Sequence, residues 1–383
     1  MDPTDSPSLL PGATIGIVGG GQLGRMLAMV AHRHGYRVVV FTGGAKDTPA
    51  GVIADEEIVG EFADEHAAAR FAGLVDVITW EFENVDLAVA EAADAAGVPV
   101  RPAPTIIAIA QDRRLEKEAL TNAGLSVAQW LSATTQEGLA AAVAHLGVPV
   151  IAKAARFGYD GKGQVRIDRS ADVAEAWASL GDRRVVVESV VDFQRELSVV
   201  VARGVDGQMA DHGVMENRHV NHILDTTVVP ARVSHTTSVD AVAIARTVAE
   251  ALDLVGVLCV ELFDTGDGLI VNEIAPRPHN SGHCTIEAAS ASQFEQQLRA
   301  VCALPLGDGA CRPAAMVQVL GDLWHREEPD WATVFSQRDI HLHLYGKTEP
   351  RPGRKMGHLT SVGDDPTVAL QRAIDARFAL NGR

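Results

Sequence analysis

The chain has 383 residues, 47% of them hydrophobic, with 33 Lys and Arg against 50 Asp and Glu for a net charge of −17. That length and apolar content suffice for a large buried core spread over two or three domains. The acidic balance, with no long basic run, argues against nucleic acid or an anionic membrane as the main partner, so any anionic substrate has to be held by local clusters of Arg and Lys.

From Thr14 to about Val100, strand and helix patterns alternate. Ile15-Gly16-Ile17-Val18 leads through a glycine turn into a helix ending near His34. Val38-Val39-Val40-Phe41 and Val75-Asp76-Val77-Ile78-Thr79 follow, then an Ala-rich helix and Val98-Pro99-Val100. This alternation predicts a doubly wound, largely parallel sheet. A helical stretch over Asp112–Asn122 leads away from it.

From about Ser126 to Leu306 the texture changes to longer strands joined by glycine loops: Val148–Ala154, Val185–Glu188 and Glu196–Val201, with an amphipathic helix over Ser238–Leu252. The tail carries short strands at Met316–Leu320 and Ile340–Tyr345 and a last helix near Pro366–Phe378. The expected units are residues 1–111, 112–310 and 311–383. The fold class is α/β plus α+β, ending in a small β-rich domain. Cys259, Cys284, Cys302 and Cys311 lack CxxC spacing, which argues against a zinc site and for reduced core thiols. The N-terminus is unlike a signal peptide, and no apolar run approaches the ~18 to 20 residues of a membrane span. A cytoplasmic protein is expected.

Gly19-Gly20-Gly21-Gln22-Leu23-Gly24 satisfies G-x-G-x-x-G between a strand and a helix. A nicotinamide site also wants an acid about 20 residues on. Phe41-Thr42-Gly43-Gly44 offers none at that place, so the motif reads either as a plain tight turn or as a seat for another phosphate. A second glycine group, Gly158, Gly161 and Gly163, follows Lys153 in Phe157–Gln164. It lacks the P-loop order, yet such a loop can fold over a triphosphate, with Lys153 and Lys162 neutralising its charge. Glu188 and Glu196 stand at strand ends, where they can accept from adenine or ribose hydroxyls or simply face solvent.

Val257–Phe263 and Val271–Ala275 flank Asp264-Thr265-Gly266-Asp267-Gly268, which reads as a hairpin turn. Antiparallel pairing about that turn sets Glu261 roughly opposite Glu273. Two carboxylates so placed repel unless a cation lies between them, and Mg²⁺ on a nucleotide phosphate suits them. Two solvated glutamates are the plain alternative, but the polar run Arg277-Pro278-His279-Asn280-Ser281-Gly282-His283 has no folding rationale after an apolar strand. Arg351-Pro352-Gly353-Arg354-Lys355 puts three cations in five residues of an acidic chain, either a phosphate grip or a solvated basic turn.

Taken together these segments, with Thr79-Trp80-Glu81-Phe82-Glu83-Asn84-Val85, resemble the ATP-grasp superfamily. They most closely resemble its N5-carboxyaminoimidazole ribonucleotide synthetases. The resemblance implies an ATP-dependent ligase, typically homodimeric, that phosphorylates bicarbonate and carboxylates the exocyclic amine of 5-aminoimidazole ribonucleotide in purine biosynthesis. It implies ATP against Arg113, Lys153, the Gly158, Tyr159, Asp160, Gly161, Lys162, Gly163 and Gln164 loop, Glu188, Glu196, His219, Asn272 and Glu273. Mg²⁺ would lie on Glu261 and Glu273. Bicarbonate would lie near Arg277, His279 and Asn280, which with Asp160 and Lys162 form the expected catalytic set. The ribonucleotide would meet Gly21, Gln22, Leu23, Glu81, Tyr159 and Asp160, its 5′-phosphate held by Lys347 and Arg354 with Lys355 nearby. Other ATP-grasp ligases would share Lys153, Glu261 and Glu273 without needing the Arg354-Lys355 pair. A nucleotide-binding sensor would be expected to have lost a metal carboxylate.

Overall fold

A computed structural model describes residues 7–156, 163–181, 183–325 and 327–380. Gly158, Tyr159, Asp160, Gly161 and Lys162 lie outside the described residues. The first sheet is built from β1 (Thr14–Val18), β2 (Arg37–Phe41), β3 (Glu56–Ile58) and β4 (Val77–Trp80), all parallel in the order β3-β2-β1-β4. β1, β2 and β4 are short, mainly apolar runs buried on both faces, as parallel strands under helices must be, whereas the edge strand β3 carries Glu56 and Glu57. The chain winds outward from β1 to β3 and then returns to β4 on the other side. That reversal opens a crevice at the carboxyl ends of β1 and β4, the place where open α/β sheets bind ligands. The helix Gln22–Arg33 starts there and buries Leu23, Met26, Leu27 and Ala31 at helical spacing.

A small antiparallel sheet follows, with β5 (Trp130–Ala133), β6 (Val150–Ala154), β7 (Gln164–Ile167) and β8 (Val185–Ser189) in the order β5-β8-β6-β7. Helices Gln136–Leu146 and Val173–Ser179 cover one face of it through Leu139, Val143, Ala176 and Trp177.

The largest layer is an eight-stranded sheet of β9 (Arg195–Arg203), β10 (Met209–Val220), β11 (Ile223–Val229), β12 (Gly256–Asp264), β13 (Leu269–Ala275), β14 (Ala314–Leu320), β15 (Ile340–Leu344) and β16 (Lys355–Val362). Its order is β13-β12-β9-β10-β11-β14-β16-β15, so the sheet runs unbroken across residues 310 and 311. The sequence reading has no counterpart for β10 and β11. They form a hairpin whose turn residues Asn221 and His222 have φ of 51° and 65°. An Asn at the first position of a two-residue loop was the available signal. β16 was equally hidden, because its Met356, Leu359 and Val362 recur at every third residue and polar His358, Thr360 and Ser361 fill its buried interior, so no period-2 alternation marks the strand.

Helix Gln293–Val301 locks the first sheet to the large one. Its Phe294, Leu298 and Val301 pack into the core around Ile15, Leu27 and Val40. The buried Gln297 amide donates to Thr79 Oγ1 at 2.7 Å and accepts the Val257 N–H at 2.6 Å. One side chain thereby sets β4 against β12, and with them the carboxylates that follow each strand.

Candidate active site

The hairpin β12–β13 has the expected register, with Glu261 opposite Glu273. A bulge adds Asn272 on β13, since Leu262 pairs with Val271. A bulge of this kind turns two successive side chains toward one side. Asn272 and Glu273 accordingly line one cavity with Glu261. Glu261 is pushed up to about 7, by burial first and then by the Glu273 charge. Two facing carboxylates, one of them raised by burial and by its neighbour's charge, are a fit for a hard cation. Among the described residues no cluster of three or more His, Cys, Asp or Glu forms a complete metal cage.

The cavity has a volume of about 420 Å³ and lies where the three layers meet. Arg113, Lys153, Gln164, Glu196, His219, Arg277, His279, Asn280 and Lys355 also line it. Lys153 donates from β6 to Glu188 Oε2 on β8 at 2.9 Å, and Lys117 Nζ stands 3.6 Å from the same oxygen. Burial works against the Glu188 charge, but Lys153 and Lys117 together hold its carboxyl below the usual range. Glu188 itself lies beneath the cavity wall. On the large sheet, His219 Nδ1 lies 2.9 Å from Glu196 Oε2. That contact raises the imidazole pKa although burial opposes it.

Arg277 is forked onto Glu83, a residue the sequence reading placed in a motif but gave no role. His279 accepts the Ser281 N–H at Nδ1, 3.3 Å away, so its own proton sits on Nε2, facing Glu261 Oε1 at 3.3 Å. Burial, then the Arg277 charge, pushes its pKa well below the usual value, and the ring is neutral. Ser281 Oγ, 2.9 Å from Nδ1, accepts from Ser198, which accepts from Asn217.

At the crevice of the first sheet the glycine turn holds a carboxylate of the chain itself. Glu81, after β4, takes the backbone N–H groups of Gly21 and Leu23. A Cβ on Gly21 would fall 2.2 Å from Glu81 Oε1, so glycine is needed there for close approach. The phosphate seat suggested by the glycine motif is thus taken by Glu81. Burial raises the Glu81 pKa, opposed by those two N–H groups and by Arg277 and Lys347. Gln22 Nε2 reaches Asn280 Oδ1 at 3.4 Å, joining this turn to the large-sheet loop.

Of the expected phosphate cations, Lys355 lines the cavity from the first residue of β16. Lys347 Nζ donates to the Lys355 carbonyl at 2.8 Å. Arg354 is not among the lining residues, and its guanidinium donates to the Glu349 carbonyl at 2.7 Å. Behind them buried His283 and His358 and half-buried His343 stack with ring centroids 4.7 and 4.5 Å apart, a wall for which spacing in the sequence gave no sign. Glu116 and Phe193 are further lining residues missed at the sequence level.

A parallel-sheet domain, a small antiparallel lobe and a large antiparallel sheet, with Lys153, the paired carboxylates and the loop of Arg277, His279 and Asn280 converging between them, define an ATP-grasp enzyme. Residues 12–111 match the ribonucleotide synthetase preATP-grasp domain, 118–294 the ATP-grasp domain, and 314–372 the phosphoribosylaminoimidazole carboxylase C-terminal domain. The chain is 44% identical over 355 residues to the N5-carboxyaminoimidazole ribonucleotide synthase of Bacillus subtilis, covering 92% of each chain. It is 42% identical over 362 residues to that of Brucella melitensis, covering 94% of this chain and 98% of the relative. Among solved structures, an ADP complex of an N5-carboxyaminoimidazole ribonucleotide synthetase superposes with a TM-score of 0.90 at 40% identity, over 99% of this chain and 100% of the other. The Aspergillus clavatus enzyme with ADP and 5-aminoimidazole ribonucleotide superposes with a TM-score of 0.86 at 31% identity, over 97% and 100%. The chain belongs to the N5-carboxyaminoimidazole ribonucleotide synthase family.

Proposed function

We propose that this chain carboxylates the exocyclic amine of 5-aminoimidazole ribonucleotide, consuming ATP and bicarbonate and releasing ADP and phosphate. The observation that carries the reading is the convergence, in one cavity, of Glu261 and Glu273 with Arg277, His279 and Lys355. Bicarbonate is a poor electrophile. Its oxygen attacks the γ-phosphorus and ADP leaves; the amine nitrogen then bonds to the carboxyl carbon of the resulting mixed anhydride, or of the carbon dioxide it releases, as phosphate departs and the nitrogen gives up a proton.

In this reading Lys153 and Arg113 neutralise the triphosphate, and Glu196 and His219 face the nucleoside. Glu261 and Glu273 would hold Mg²⁺, which would supply charge screening at the phosphates. Arg277 and the Nε2–H of neutral His279, with Asn280, orient the bicarbonate oxygens. The ribonucleotide lies toward Gln22, Glu81, Lys347 and Lys355. Gly158 to Lys162, with Tyr159 and Asp160, are assigned to loop closure and to the amine from the family resemblance alone. The same resemblance carries the homodimer. Four free cysteines, three of them buried, support a reducing cytoplasmic setting. Units of 1–111, 112–310 and 311–383 remain the proposed division, the last boundary dividing the chain but not the large sheet.

The test is direct. With ATP, Mg²⁺, labelled bicarbonate and aminoimidazole ribonucleotide, the protein should release ADP and phosphate and form an acid-labile labelled product. Hydrolysis indifferent to the ribonucleotide, with no label transferred, overturns the assignment.

A further inference from the structure

β13 lies at one end of the eight-stranded sheet, with β12 on its inner side. Along its outer side Ser126 takes the Val271 N–H at 2.8 Å, and beyond that point the partners are side chains. Lys117 Nζ donates to the Asn272 carbonyl at 2.8 Å. Glu116 Oε1 accepts the Ile274 N–H at 2.6 Å. These two peptide groups flank Glu273. Both side chains come from the helix Arg113–Asn122 and are almost fully buried, Glu116 at 3% and Lys117 at 1% exposure. Arg113, on the same helical face at i, i+3 and i+4 spacing, donates to Glu273 Oε2 at 3.2 Å.

The bulge at Asn272 breaks the ladder where the metal-facing carboxylate has to be held most firmly. A bulged strand at a sheet edge lacks partners for its outward peptide groups. Here one acidic and one basic side chain offer the acceptor and the donor that a neighbouring strand would have offered. We propose that Glu116 and Lys117 are positioning residues for Glu273: they stand in for the absent strand and fix the peptide groups on both sides of it, so that its carboxylate faces Glu261. Lys117, which also approaches Glu188, ties the same strand to Lys153 on the small lobe. The inference rests on the reading of Glu273 as a metal-facing carboxylate.

Two readouts test it on the full chain. The first is amide hydrogen exchange of the segment containing Ile274, measured without nucleotide or Mg²⁺. The second is the Mg²⁺ concentration for half-maximal turnover, beside KM for the ribonucleotide. Glu116→Ala should speed exchange at Ile274 and raise the Mg²⁺ requirement by about tenfold, the scale seen when an outer partner of a metal ligand is lost, with the ribonucleotide KM unmoved. Glu116→Gln keeps an acceptor oxygen and should restore both. Lys117→Met gives the same comparison at the Asn272–Glu273 peptide, read at the Glu273 amide, if Glu116→Ala does not fold. Unchanged exchange at Ile274, or an unchanged Mg²⁺ requirement beside a lowered Tm, overturns the proposal. Faster exchange in Glu116→Ala, alongside a Glu273→Gln protein whose Mg²⁺ requirement is normal, would instead sink the metal reading while leaving the clamp in place.

Discussion

Arg277 and Glu83 form a forked ion pair, Nε to Oε2 at 2.5 Å and Nη2 to Oε1 at 3.2 Å, joining the loop after β13 to the loop after β4. Burial opposes the Glu83 charge, but the guanidinium outweighs it and holds the carboxyl below its usual range. Arg277 Nη1 also donates to the Pro278 carbonyl at 3.1 Å. Three of the five guanidinium N–H groups are thereby committed among the described residues, and the other two can serve an anion in the cavity.

The orientation of Arg277 depends on Glu83. Breaking one side of a buried pair costs on the order of 3 to 5 kcal/mol when the remaining charge stays uncompensated. Glu83→Ala should therefore lower Tm and raise KM for bicarbonate by tenfold or more on an order-of-magnitude scale, while Glu83→Gln, which keeps one acceptor, loses less. Steady-state kinetics with bicarbonate varied, beside a thermal melt, decide it. A Glu83→Ala enzyme with the original bicarbonate KM would separate Glu83 from the anion site.

Much of this site was readable in the sequence, and the reason is local. Glu261 and Glu273 lie on two strands joined by one short turn, so register alone sets them opposite. The family resemblance supplied Arg277, His279 and Lys355, but spacing could not supply their partners. Glu83 meets Arg277 across 194 positions of chain, and Lys117 meets Asn272 across 155. Such contacts come from packing of separate layers, set here by Gln297, and no periodicity encodes them. The glycine motif shows the converse. Its residues were correctly placed at a strand–helix turn, while what fills that turn is Glu81, some sixty residues away. Local pattern gave the backbone and tertiary packing gave the occupant.

The pair Glu261 and Glu273 makes the protein without Mg²⁺ sensitive to pH. The Glu261 carboxyl is raised from 4.5 to about 7 in the folded chain, by burial and then by Glu273. A carboxyl raised on folding costs stability as pH climbs from its unfolded value to its folded one, and the cost is constant above that. Stability should therefore fall between about pH 4.5 and pH 7, and Glu261→Gln should remove that part of the fall. At pH 8 the variant should be more stable than the parent by on the order of 1 to 3 kcal/mol, while losing activity. Urea unfolding at pH 5 and pH 8 without Mg²⁺ measures this. A variant no better placed at pH 8 than at pH 5 would contradict the assignment of strain to Glu261.

Glu273 separates the metal role from folding. Glu273→Gln keeps the size of the side chain and a hydrogen-bond acceptor for Arg113, so circular dichroism and Tm should change little. Turnover should fall by about 10²-fold or more, because a charge aimed at the phosphates is lost from a dry site. ADP release at saturating Mg²⁺ is the measurement. Activity within a few-fold of the parent would remove Glu273 from the metal site.

Lys355 and Arg354 are neighbours in sequence with different surroundings. Lys355 lines the cavity and its carbonyl accepts from Lys347, whereas the Arg354 guanidinium is turned to the Glu349 carbonyl. A 5′-phosphate is bound alike in the ground and transition states, so losing a cation that grips it should raise KM and spare kcat. A charged hydrogen bond contributes ~1.5 to 3 kcal/mol, so Lys355→Met should raise the ribonucleotide KM by roughly 10- to 100-fold. Arg354→Ala should raise it too, but by less, since Arg354 has first to leave Glu349. Kinetics with the ribonucleotide varied at saturating ATP and bicarbonate rank the two. An Arg354→Ala effect larger than that of Lys355→Met would mean that the guanidinium swings inward on binding and takes the phosphate itself. Unchanged KM in both would move the phosphate site off β16 altogether.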